Sequence, residues 1–226
     1  MIKQIYIIGN WKSNKNRQDV QNWFEKLSAA GILAKKIANL DVVVCPTFIH
    51  LEIAKNLIEK YQTNIALGAQ DVSPFTEGAF TGEISASMLK DYVNYVIIGH
   101  SERRKNFAED DKLLAEKVTR TKEIGLSVIY CVPDENTSIP ENVDIIAYEP
   151  VWAIGTGKSD TPENAAKVIS RIKQNNLNKK VIYGGSVNGE NIVSFITQPN
   201  IDGVLPGASS LDAEKFSQMI KLAASL

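Results

Sequence analysis

Apolar residues in this chain follow two alternating rhythms. Runs rich in valine and isoleucine at 4–9, 41–46, 64–69, 95–100, 126–131, 143–148, 180–185 and 201–207 are apolar almost without interruption. Such runs predict short strands covered on both faces, as in a parallel sheet. Between them the spacing shifts to three and four. Residues 17–30 place Val20, Trp23, Phe24 and Leu27 on one helical face. At 160–176, Thr161 predicts an N-cap and Pro162 the first helical position. The stretch 210–226 aligns Leu211, Phe216, Ile220 and Ala223. Eight strand-then-helix units favour an α/β protein built as a (β/α)8 barrel over an open doubly wound sheet. No linker or low-complexity tract interrupts residues 1–226, so one domain is expected.

One unit breaks the rhythm. Residues 132–143 carry two prolines, an Asn-Thr-Ser cluster and no apolar periodicity. A parallel crossover needs about a dozen residues, so the connection is feasible without a helix. The fifth helix is predicted to be missing or much reduced, which would expose a strip of barrel wall to a second interface.

Composition narrows the function more by exclusion than by pointing. A formal net charge of −1 gives no global attraction for nucleic acid or an anionic membrane, so any anionic ligand must be held locally. Two distant cysteines and two histidines make a zinc site or a disulfide framework unexpected, and fit a reducing, cytoplasmic setting. No apolar stretch approaches the length of a membrane span or a signal core.

In a barrel, chemistry gathers where strands end. Asn10 and Lys12 follow the first strand, His100 and Glu102 the fourth, Glu149 the sixth, Gly184-Gly185-Ser186 the seventh and Gly207-Ala208 the eighth. The segment Glu149–Ser159 ends in Gly-Thr-Gly-Lys-Ser and looks like a nucleotide-binding P-loop. That motif requires a glycine where this chain has Trp152, so the reading fails. His50, inside an apolar helical stretch, reads as an ordinary helix residue.

"GNWK" (9–12), "GAFTGEIS" (78–85), "IIGHSERR" (97–104), "AYEPVWAIGTGK" (147–158), "YGGSV" (183–187) and "ASSLDAEKF" (208–216) together resemble the triosephosphate isomerase family over nearly the whole chain. The resemblance implies a TIM barrel that interconverts dihydroxyacetone phosphate and D-glyceraldehyde 3-phosphate, in glycolysis and gluconeogenesis, without metal or organic cofactor. It implies Glu149 as base, His100 as the group that shuttles protons between substrate oxygens, and Lys12 as the catalytic cation. Asn10, Lys12, Gly155, Ser186, Gly207 and Ala208 would bind substrate. Glu102 would support Lys12 and Asn10, Trp152 and Gly155 belong to a lid, and Tyr183 and Ser186 would hold it closed. Thr81, near the tip of a protruding loop, would reach a neighbouring subunit; a homodimer is expected and a tetramer stays open.

The last phosphate loop departs from the family's Leu-Val-Gly-Gly-Ala-Ser-Leu by placing Pro206 and Ala208 at the second and fourth positions. Ala208 adds a Cβ and removes access to positive φ, which puts phosphate affinity in question. Two other functions stand beside the isomerase: a barrel enzyme with different phosphosugar chemistry, and a barrel retained only for binding.

Overall fold

The computed structural model of this protein describes residues 3–151 and 160–226. Strands β1 (Ile5–Asn10), β2 (Leu40–Cys45), β3 (Ala66–Ala69), β4 (Tyr95–Ile98), β5 (Ser127–Val132), β6 (Ile145–Tyr148), β7 (Lys180–Tyr183) and β8 (Gly203–Val204) close into a parallel barrel in sequence order. β8 completes the circuit, pairing Val204 with Tyr183 on one side and with Ile7 on the other. Alternate side chains fill the interior, among them Ile8, Val43, Ile97, Ile129, Ile145 and Ile182. Their neighbours face the helices, which is why the strands read as unbroken apolar runs.

Helices α1 (Arg17–Ala29), α2 (Leu51–Tyr61), α3 (Ala86–Leu89), α4 (Ser101–Phe107), α5 (Asp111–Glu123), α6 (Pro162–Asn175), α7 (Ile192–Ile196) and α8 (Ala213–Ala224) surround the barrel. Local chemistry sets their starts. Asn16 and Asp19 form a reciprocal capping box on α1, and the four residues of the predicted face are those buried. Thr161 accepts the Asn164 N–H ahead of Pro162, as expected for α6. Leu211 lies before α8 rather than on its stripe, because Asp212 caps that helix.

The β5–β6 connection contains no helix, so the prediction for the fifth unit holds. The expected bare strip does not follow from it. Val128, Tyr130 and Val132, the outward residues of β5, are all fully buried. Ile139 in the connection packs on the core, and Asp134 organises a tight turn by accepting from the Asn136 N–H and the Thr137 hydroxyl. Glu135 pairs with Arg171 of α6 at 2.7 Å. Side chains close the gap that a helix leaves.

Candidate active site

After β1 the backbone makes a turn that few side chains adopt readily. Lys12 has φ +51° and Lys15 φ +72°, conformations that cost L-residues of order 1 kcal/mol and persist only when surroundings hold them. The holding groups come from several elements. Asn10 Oδ1 accepts the Lys12 N–H at 3.0 Å, and Gln70 after β3 donates to the Lys12 carbonyl at 3.0 Å. His50 Nε2 contacts the Lys15 carbonyl at 3.0 Å. Lys12 Nζ emerges from this turn paired with Glu102 Oε1 of α4. Glu102 is thereby engaged with Lys12, while Arg103 pairs with Asp71 and Glu109 and Arg104 with Asp111.

At the end of β4, Gly99 adopts φ +74°, and its absent Cβ leaves room for the Arg104 guanidinium. The turn delivers His100 to the N-cap of α4, where its Nδ1 accepts the Glu102 N–H at 3.2 Å. From the end of β6, Glu149 reaches across so that Oε1 lies 2.9 Å from His100 Nε2. Its Oε2 accepts the Ser101 N–H at 2.9 Å, one of the donors that a helix start leaves without an internal partner. Both side chains are nearly inaccessible, with the Glu149 side chain 2% exposed. Cys131 lies behind Glu149; burial, and after it the Glu149 charge, push its thiol well up and keep it protonated.

A cavity of about 560 Å³ opens above this pair. Asn10, Lys12, His100 and Glu149 line one part of it; Gly184, Gly185 and Ser186 after β7 and Gly207 and Ala208 after β8 line another. Gly184 is required by close approach, since a Cβ there would meet Glu149 Cγ at 2.9 Å. Ala208 begins a short 3-10 turn, Ala208–Ser210, and Gly207 has φ −91°. Neither needs positive φ, so the departure from Gly-Gly in this loop introduces no backbone strain.

Of the expected site residues, Asn10, Lys12, His100, Glu149, Ser186, Gly207 and Ala208 meet at the cavity, and Glu102 pairs with Lys12 beside it. Tyr183 is buried behind it; its hydroxyl accepts the Asp160 N–H at 3.0 Å, and burial pushes its phenol well up. Thr81 lies away from the cavity on an exposed loop. Trp152 and Gly155 lie outside the described residues. His50 is buried in the 3-10 turn Phe48–His50 ahead of α2 and holds the Lys12 turn from outside the cavity, rather than sitting within the helix. Sequence reasoning missed Gln70, Ser101 and Asp160, whose carboxylate accepts from Asn164 and from the Thr161 N–H. Only Gln70 carried a signal, as a polar residue ending an apolar strand.

A parallel barrel with a carboxylate–imidazole pair, a lysine and glycine-bearing loops around one mouth is a barrel enzyme that moves protons on a small anionic substrate. The family model described as triosephosphate isomerase matches residues 5–143 and 135–223. The triosephosphate isomerase of Mesomycoplasma hyopneumoniae (strain 232) is 40% identical over 239 residues, covering 95% of this chain and 97% of the relative. That of Thermus thermophilus is 36% identical over 255 residues, covering 98% and 100%, and that of Vibrio cholerae serotype O1 is 36% identical over 250 residues, covering 96% of each. The chain belongs to the triosephosphate isomerase family.

Proposed function

We infer that the protein interconverts dihydroxyacetone phosphate and D-glyceraldehyde 3-phosphate, with Glu149 and His100 sharing the proton transfers. The carrying observation is their 2.9 Å contact at the floor of a cavity whose rim bears Lys12 and the 207–208 backbone. Glu149 removes a proton from the carbon beside the carbonyl and returns it to the neighbouring carbon. Burial keeps bulk water away from the carboxylate, whose side chain is 2% exposed. His100 donates from Nε2 to the oxygen that gains charge and recovers a proton from the other oxygen. Lys12 stabilises the enediolate and the phosphate, and its reach to both depends on the Asn10 and Gln70 bonds that hold its turn.

The phosphate is held by main-chain N–H groups at Gly207 and Ala208 and by Ser186. Asn10 adds an amide at the same rim. The Tyr183 hydroxyl holds the Asp160 N–H just ahead of α6. This chemistry needs no metal or organic cofactor. A coupled assay on glyceraldehyde 3-phosphate tests the reading, with Glu149→Gln as control. Undiminished turnover in that variant would refute the mechanism, and an inactive wild type would favour a barrel that only binds.

The working form is a homodimer. Residues 75–83 are exposed throughout, and Phe75 and Phe80, 43% and 40% exposed, stack at 4.1 Å on that loop. Thr81 lies on that exposed loop, and the family resemblance supports its reaching a partner subunit's site. Because the outer face of β5 is covered, nothing there calls for the second interface of a tetramer. Light scattering at assay concentration should give the dimer mass; a fully active monomer would overturn this. Among the described residues no helix is long and apolar enough to cross a membrane, and both cysteines are free and buried, which supports a reducing cytoplasmic setting.

A further inference from the structure

Tyr130 and Arg104 help to close the gap left by the missing fifth helix, and Arg104 also reaches the backbone on either side of the reacting pair. Tyr130 projects outward from β5, fully buried, where a covering helix would otherwise lie. Its hydroxyl accepts from Arg104 Nη2 at 3.2 Å, and the guanidinium sits 5.5 Å from the ring centroid. Burial pushes the phenol up, so the hydroxyl stays neutral at working pH.

Arg104 divides its planar set of donors among four partners. Nε donates to the Gly99 carbonyl at 2.9 Å, and Nη1 to Asp111 at 2.9 Å. Nη2 serves both Tyr130 and, at 3.4 Å, the Cys131 carbonyl. Gly99 is the left-handed residue immediately before His100, so the orientation of its peptide sets where the imidazole begins. Cys131 is the interior residue of β5 that lies against Glu149. One rigid guanidinium therefore spans the backbone leading to the imidazole and the wall behind the carboxylate. A lysine could not do this, because its single ammonium cannot present the same fixed fork.

We propose that Arg104, braced by Tyr130, is a positioning residue for the His100–Glu149 pair. Neither side chain lines the cavity, so the pair acts through the two carbonyls rather than on substrate. The proposal rests on the isomerase reading for its kinetic consequence but not for its geometry.

The test uses the full chain and the variants Arg104→Met, Arg104→Lys and Tyr130→Phe. Arg104→Met is expected to lower kcat about tenfold with KM within about twofold, since small misplacements of reacting groups cost rate rather than binding. Arg104→Lys should not restore the rate. Tyr130→Phe should lower kcat about threefold, and the double variant should be no slower than Arg104→Met alone, as expected of one coupled unit.

A second readout does not depend on turnover. The chain has 2 histidines, so ¹⁵N-histidine labelling gives two ring spectra. Arg104→Met should shift the His100 nitrogens and leave His50 in place. If Arg104→Met does not fold, Tyr130→Phe carries both measurements. Unchanged kcat and unchanged His100 signals in the folded variants, with only a lower Tm, would overturn the proposal. An inactive wild type would instead refute the isomerase reading, leaving the ring spectra to decide the geometry.

Discussion

His100 Nε2 faces Glu149 Oε1 at 2.9 Å, and the proton between them belongs to the imidazole. The other ring nitrogen settles this. Nδ1 accepts the Glu102 N–H, and a backbone amide can only donate, so Nδ1 carries no proton. The ring hydrogen is then on Nε2. A donor is thus already aimed where a substrate oxygen would replace the carboxylate. Glu149 meanwhile has both oxygens engaged, by His100 and by the Ser101 N–H. It must give up at least one of these bonds to act on carbon.

Glu149→Gln is the direct test of that arrangement. The amide retains one oxygen for Ser101 but presents an NH2 group toward the protonated Nε2, and it has no basic lone pair for carbon. General-base contributions run to about 10²–10⁴-fold, and kcat should fall by about 10³-fold or more with little change in KM. Steady-state kinetics in both directions check this; a loss below about tenfold would point to another base.

Gly184→Ala separates position from chemistry. The new Cβ would meet Glu149 Cγ at 2.9 Å and the Tyr148 carbonyl oxygen at 3.2 Å. The flexible carboxylate stem should yield before the strand does, moving the base while leaving its ionisation intact. We expect kcat to drop about tenfold or more while the fold persists, because displacement of a reacting group by about 1 Å can cost 10²-fold. Wild-type kcat in this variant would show that Glu149 tolerates displacement.

Ala208→Gly reads the altered phosphate loop. Ala208 starts a 3-10 turn without positive φ, so restoring glycine relieves no strain. It instead frees the unfolded chain, which costs roughly 0.5–1 kcal/mol. KM should stay within about twofold of wild type while urea unfolding moves to lower concentration. A clear tightening of phosphate binding in the variant would show that the Cβ does obstruct the ligand.

The barrel was legible because its strands are buried on both faces, which writes them as apolar runs that no amphipathic helix imitates. The missing fifth helix was legible for the opposite reason, as prolines and polar residues without period. What replaces it was not. Arg104 reads as a surface arginine and Tyr130 as one more apolar strand residue, and only the fold brings them within 3.2 Å. The same holds for Gln70, which donates to the distant carbonyls of Cys45 and Lys12, and for Asp160, whose N–H is held by the distant Tyr183 hydroxyl. Cavity residues were found through motif resemblance, whereas the residues holding them depend on contacts that strand ends and spacing do not encode.

Asp212 connects the last phosphate loop to α8, and its contribution should depend on pH in a defined direction. Its carboxylate accepts the Lys215 N–H at 3.0 Å and the Glu214 N–H at 2.9 Å. The Lys215 N–H bond, opposed by burial and reinforced by the Glu214 N–H bond, holds its carboxyl below the usual range. A depressed folded-state pKa means the added stability is complete above the unfolded value, about 3.9 for Asp, and is lost as pH falls through the folded value. Replacing an N-cap by alanine typically costs about 1 kcal/mol. Asp212→Ala should therefore cost about 1 kcal/mol near pH 7, and the difference from wild type should shrink on acidification through and below about pH 3.9. Urea unfolding of both proteins across that range measures the gap. A difference that stays constant with pH would mean that the cap works without its charge.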